Sequence, residues 1–170
     1  MFKKVPSTID VYYILQSFTG LTTSPNTVFF IQRVQSFVSK NSYIYIVGEV
    51  RGKEALELLN SYNTGHDGGM SSGHGNSPRD MLARLETMVL TGADLPLAAI
   101  RSQIASALDI LIHLGRIRDK TRRVLWIVEV DDYAEGEIRL RTLYRFEDGC
   151  LKKKGELKNR EKLQRAGEST

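Results

Sequence analysis

The rhythm of apolar and polar positions sets the first elements. Tyr43-Ile44-Tyr45-Ile46 is an apolar run that leads into VGEVRG, residues 47–52. Residues 43–48 are predicted as a buried strand, apolar on both faces as parallel strands usually are. Upstream, Ile31, Val34, Phe37 and Val38 fit one helical face, which predicts a helix over 28–40. Downstream, KEALELLNSY (Lys53 to Tyr62) is a run of good helix formers. A short strand is expected around Gly69–Ser72. Ser77 then caps a helix that has Pro78 at its first position and runs to about Leu90. Asp94-Leu95-Pro96 starts another helix, with Ile100, Ile104 and Leu108 on its apolar face. Leu111–Leu114, Arg123–Val130 and Ile138–Phe146 read as strands, the last two forming a hairpin around Asp131–Gly136. Strands alternating with helices predict α/β layering with an antiparallel β-hairpin toward the C-terminus.

Composition changes along this pattern. Nine of the fourteen aromatic residues lie in the first 46 positions, a segment poor in charge, whereas from Gly48 the chain is charged and punctuated by glycine. This shift divides the chain into an aromatic-rich segment (1–42), a periodic central part (43–147) and a basic tail (148–170). Residues 150–170 hold seven Lys/Arg against three Glu, so the tail carries as much positive charge as the net +4 of the whole chain. Such a tail is expected to be solvated and frayed, or to touch anionic headgroups or an acidic partner. Its mixed signs and lack of aromatic residues argue against nucleic acid. Cys150 is the single cysteine, which excludes an internal disulfide and a cysteine-based zinc site. No apolar stretch is long enough to span a bilayer, and MFKKVPSTID has no secretory core, so an intracellular setting is expected.

Three stretches could carry chemistry. Glu49 ends an apolar strand, at the edge where ligands of open α/β folds bind. A carboxylate there can hold the water shell of Mg²⁺ or orient an attacking water, or it can simply pair with Arg51. In TGHDGGMSSGHGNSP, residues 64–78, five glycines in eleven positions allow close backbone approach to a phosphate. His74 could donate to a γ-phosphate oxygen there, or sit in a flexible loop, or pair with His66 on a metal. Arg116, Arg118, Lys120, Arg122 and Arg123 cluster between two predicted strands. They form a solvated turn, or in an oligomer reach a neighbour's nucleotide or acidic surface. His113 and Trp126 read as packing residues.

Taken in order, these elements resemble the C-terminal catalytic half of the secretion ATPase family, the RecA-like motors of type II and type IV secretion and of tight-adherence (Flp) pilus assembly. VGEVRGKEALELLNSYNTGHDG resembles the Walker B strand and the helix after it. MSSGHGNSPRDMLARLETMVL resembles the histidine box, and ADLPLAAIRSQIASALDILIHLGRIRDKTRRVLWIVEV the region that follows. The ADLP and RxRDxxRRV patterns are closest to the pilus-assembly subgroup. The resemblance runs over residues 43–147. It implies ATP and Mg²⁺ as cofactors, with Glu49 near the metal through water and His74 at the γ-phosphate. Arg51 and Gly73 belong to the same nucleotide-binding motifs. It further implies a homo-oligomer, a hexamer when intact, that works at the cytoplasmic membrane with an inner-membrane platform protein. Gly75 stands where many relatives have Ala.

A phosphate-binding loop, GxxxxGK[ST], does not occur in residues 1–47. The expectation is therefore a partial RecA-like P-loop NTPase core lacking the P-loop strand: a truncated or degraded export motor, inactive alone. The alternative is a non-catalytic module that binds full-length motor subunits. Losing the amide cradle, the lysine and the Ser/Thr metal ligand removes contacts of roughly 1.5–3 kcal/mol each, so ATP binding by this chain alone is expected to be weak.

Overall fold

The computed structural model describes residues 45–64 and 69–159. Strand β1 (Tyr45–Glu49) is followed by helix α1 (Glu54–Asn63) and strand β2 (Gly69–Ser72), which pairs parallel to β1. Parallel neighbours cannot be joined by a tight turn, and α1 supplies the crossover. Helices α2 (Pro78–Gly92) and α3 (Leu97–Ala107) come next. Four antiparallel strands complete the described chain: β3 (Ile110–Arg116), β4 (Arg122–Ala134), β5 (Glu137–Glu147) and β6 (Cys150–Lys153), side by side in that order.

The helices form where apolar residues recur at helical spacing, and that face is what they bury. α1 buries Ala55, Leu58 and Leu59; α2 buries Leu82, Leu85, Met88 and Val89; α3 buries Ile100, Ile104 and Ala107. These side chains make one core with Val50, just past β1, and with Val130 and Ile138 of the sheet. Arg101 locks the arrangement. Its guanidinium bonds Glu86 on α2 through Nε (2.9 Å) and Nη2 (3.2 Å), and donates from Nη1 to the carbonyl of Gly136 at 2.7 Å. A planar fork suits that bidentate contact where a lysine would not.

The opposite face of the sheet carries a second, smaller core of Val124, Ile127, Leu143 and Leu151, with Leu157 packed against it. Two tight turns fix the register of β4–β5–β6. Glu135-Gly136 and Asp148-Gly149 each place two successive residues at positive φ (54° and 82°, 51° and 80°). Two such residues in succession match the twist of the flanking strands.

The predicted elements appear with shifted ends. The third helix begins at Leu97, with Pro96 as its cap, and ends at Ala107, so Leu108 lies just beyond it. The hairpin strands are longer than predicted, at 13 and 11 residues. The basic stretch is not frayed at its start: Cys150–Lys153 is a strand, and Lys154 N and Gly155 N donate to Leu143 O at 2.7 and 3.3 Å. The expected helix over 28–40, the beginning of the first strand, His66 and residues 160–170 fall outside the described residues.

Candidate functional site

The site lies at the C-terminal ends of β1 and β2. Their register sets Glu49 opposite Ser72, with an irregularity between Val47 and Glu49. The ladder continues one step beyond, where Val50 N donates to Ser72 O at 2.9 Å. Ser72 Oγ donates to Gly48 O at 2.5 Å, closing the bulge. Glu49 is thus held at a strand end, its side chain 26% exposed.

Two basic side chains converge on this carboxylate. Arg51 Nη2 donates to Oε2 at 2.5 Å, and His74 Nε2 stands 2.8 Å from Oε1. The His74 approach is short enough for an ion pair when the ring is protonated. Its alignment does not make a hydrogen bond, however, and Oε1 is buried without a hydrogen-bond partner. The Arg51 bond is the main cause that holds the Glu49 carboxyl below its usual range, with burial opposing and the charges of Arg51 and His74 assisting. Of the two alternatives open for Glu49, the structure shows the pairing with Arg51. The carboxylate pairs through one oxygen and leaves the other oxygen beside His74.

His74 comes to Glu49 on the loop between β2 and α2. Gly75 lets that loop lie on α2: a Cβ there would meet the N, Cα and Cβ of Met81 at 3.1 Å. A Cβ on Gly73 would fall 2.4 Å from Met81 Cε. The helix start beneath is fixed by Ser77, whose Oγ accepts from Asp80 N at 3.0 Å, while Asp80 Oδ2 accepts from Asn76 N at 2.7 Å. Arg51 is positioned likewise. Glu54 Oε1 accepts from Arg51 N at 2.7 Å and from Gly52 N at 3.0 Å, which shapes the turn after β1. Glu54, Ser72 and Asp80 were not singled out in the sequence. Asp80 was legible as the acid three residues after a capping serine; the reach of Glu54 back to residues 51 and 52 carries no comparable signal.

Among the described residues no group of three or more His, Cys, Asp or Glu is gathered to hold a metal ion. The donor set fits Mg²⁺, which keeps most of its water and takes one or two carboxylates plus substrate phosphates. Glu49 Oε1, a buried acceptor with no hydrogen-bond donor, is where a metal-bound water would be received. The sheet's shallow depression, about 390 Å³ between Arg79, Asp131, Glu137, Arg139 and Arg141, includes neither Glu49 nor His74.

Comparison with known proteins gives the family. The family model described as type II/IV secretion system protein matches residues 22–163. The chain belongs to the type II/IV secretion ATPase family. A putative conjugal transfer protein of Mycobacterium tuberculosis is 39% identical over 104 residues, which is 61% of this chain and 29% of that relative. The conjugal transfer protein TrbB of Rhizobium radiobacter is 31% identical over 126 residues, 74% of this chain and 38% of TrbB. VirB11, a type IV secretion system protein of Brucella suis, is 33% identical over 82 residues, 46% of this chain and 23% of VirB11. This member of the family spans between a fifth and two fifths of the length of these relatives. No helix among the described residues is long and apolar enough to cross a membrane.

Proposed function

We propose that this chain carries the metal-water and γ-phosphate side of an ATPase site in a secretion, conjugal-transfer or pilus-assembly motor. The observation that carries the reading is the Glu49 carboxylate with its two oxygens in different settings, Oε2 bonded to Arg51 and Oε1 buried beside His74. Mg²⁺, when bound, supplies charge neutralisation at the β- and γ-phosphates. Glu49 Oε1 would accept a hydrogen bond from a water in the metal's shell, or orient the water that attacks. His74 donates to a γ-phosphate oxygen, and Gly73 and Gly75 let the backbone come close. Arg51 lowers the Glu49 pKa and fixes its rotamer.

The fold that completes this reading is RecA-like, with a phosphate-binding strand and loop joined to the β1–β2 edge. The working assembly is a homo-oligomeric ring, a hexamer, at the cytoplasmic face of the membrane against an inner-membrane platform protein. ATP hydrolysis in it drives export or pilin assembly.

Turnover of Mg²⁺-ATP by the assembled motor that contains this chain, wild type or Glu49→Gln, tests this. A positioned acid–base group contributes roughly 10²–10⁴-fold, so the variant's rate falls by about that factor. Equal rates for the two proteins would remove Glu49 from the chemistry. A protein that turns over no ATP, yet co-purifies with full-length motor subunits and changes their rate, favours the binding-module alternative.

A further inference from the structure

We propose that the tip of the β3–β4 hairpin seats this protein on an anionic phospholipid surface. The proposal rests on charges left uncompensated among the described residues, and it needs neither ATP nor the Glu49 site.

Arg116 and Arg122 are cross-strand partners at the end of the β3–β4 ladder, both exposed. Like charges directly opposite one another in a sheet are destabilising. Arg118 and Lys120 add two more exposed cations in the turn between them. The nearby acid, Asp119, is engaged within the turn, where Oδ1 accepts from Thr121 N at 2.8 Å and from Thr121 Oγ1 at 2.6 Å. None of Arg116, Arg118, Lys120 or Arg122 forms an ion pair among the described residues. The turn itself is ordered by bonds from Ile117 N to Thr121 O (3.0 Å) and from Lys120 N to Ile117 O (2.9 Å), so the cations are held together on a built projection.

The other end of the sheet shows what a compensated cluster looks like. There Arg79 faces Glu137, Arg139 faces Asp132 and Glu135, and Arg141 faces Asp131.

An apolar stripe continues from the cations. Ile112 and Leu114 alternate with half-buried neighbours along the edge strand, on the same face as Arg116, and are 40% and 41% exposed. Guanidinium forks match phosphate oxygens. Aliphatic side chains beside them suit the zone just below a headgroup layer. Residues 118–122 are all exposed, a convex turn that a planar, deformable surface can surround. Charge, apolar stripe and convexity together favour a lipid surface over an acidic peptide or a nucleic acid.

The test is sedimentation of the full chain with vesicles of phosphatidylcholine alone and of equal phosphatidylcholine and phosphatidylglycerol. The wild type is expected to pellet with the anionic vesicles only, and less as salt rises. Arg116→Gln/Arg118→Gln/Arg122→Gln should lose roughly a hundredfold in partition coefficient, from about 1 kcal/mol per cation. Its thermal unfolding should match or exceed that of the wild type, since it relieves the Arg116–Arg122 repulsion. Lys152→Gln/Lys153→Gln/Lys154→Gln removes as many cations from paired positions and should retain most of the binding. The proposal is overturned if the wild type ignores anionic vesicles, or if the arginine variant binds them as well as the wild type. It is equally overturned if the arginines are needed to retain duplex DNA or polyglutamate while vesicles are not bound.

Discussion

Arg51 reaches back two residues to bond Glu49 at 2.5 Å, and the backbone N–H of the same arginine is held by Glu54 at 2.7 Å. The arginine is therefore fixed at both its main chain and its side chain, and the neighbour that lowers the Glu49 pKa has itself been positioned. Removing that neighbour should be felt at the carboxyl. In Arg51→Gln the main cause of the lowered Glu49 pKa is gone, and the pKa rises toward its ordinary value. Carbon-13 NMR of the Glu49 side-chain carboxyl across the acidic range reads this without any need for turnover. An unchanged titration midpoint would mean that His74 and the strand end, not Arg51, set the charge.

The His74 loop depends on the helix it rests upon. Ser77 provides the side-chain cap of α2, and the adjoining Asp80 bonds Asn76 N. Ser77→Ala is expected to cost about 1 kcal/mol. For a domain of this size that is a fall in melting temperature of about 2–4 °C. The same substitution should speed amide exchange at Asp80, whose N–H bonds Ser77 Oγ, and at Asn76, whose N–H bonds Asp80. If exchange there is unaltered while the melting temperature falls, the cap stabilises the helix without holding the loop.

Much of this arrangement was legible because short-range signals set it. The Ser77-Pro78 start of α2, the apolar spacing of Ile100 and Ile104, and the end of an apolar run at Glu49 are each written within a few residues. The Arg51 partner was visible for the same reason. What could not be read depends on distance. No local pattern says that Glu54 turns its carboxylate back on residues 51 and 52, or that Glu129, set in the apolar run of β4, is sheltered by a segment some thirty residues later. The frayed reading of the basic stretch failed at its start for that same cause, since charge density favours solvation until a tertiary partner intervenes. Asp148-Gly149 was the overlooked local clue, an Asp-Gly pair of the kind that makes a hairpin.

Glu129 is 2% exposed and meets the end of the described chain. Lys158 N donates to Oε1 and Oε2 at 3.1 and 3.0 Å, Asn159 N donates to Oε1 at 2.8 Å, and Arg141 Nε stands 3.5 Å from Oε2. A buried carboxylate satisfied by main-chain donors acts as an anchor, and its removal strands those donors at about 1–3 kcal/mol each if they stay buried. The segment can escape that cost by lifting away. Glu129→Ala is therefore predicted to raise hydrogen exchange at Lys158 and Asn159 and to admit protease between Lys154 and Asn159, while the helical core keeps its protection. Protection at Lys158 and Asn159 equal to that of the wild type would show that Leu157 packing alone holds the segment.

Asp131 makes the same anchoring dependent on pH. Its Oδ1 accepts from Lys158 Nζ at 2.6 Å and its Oδ2 from Arg141 Nη2 at 2.8 Å, and these two bonds, Lys158 first, hold its carboxyl below the ordinary 3.8. A carboxyl whose pKa is depressed by folding binds protons more readily in the unfolded chain. Its contribution to stability is complete above the unfolded value and is lost as pH falls through the folded one. The window therefore opens near pH 3.8 and extends downward. Denaturant unfolding followed across that window should show stability falling with acid in the wild type. In Asp131→Asn the fall should be shallower, from a lower plateau at neutral pH, because the amide keeps the shape and loses the titration. Lys158→Met separates the two partners: it should raise the Asp131 pKa only part of the way, since Arg141 remains bonded. A variant Asp131→Asn whose acid limb superimposes on that of the wild type would place the acid sensitivity on other carboxylates, with Glu147, held low first by Lys154, as the next to substitute.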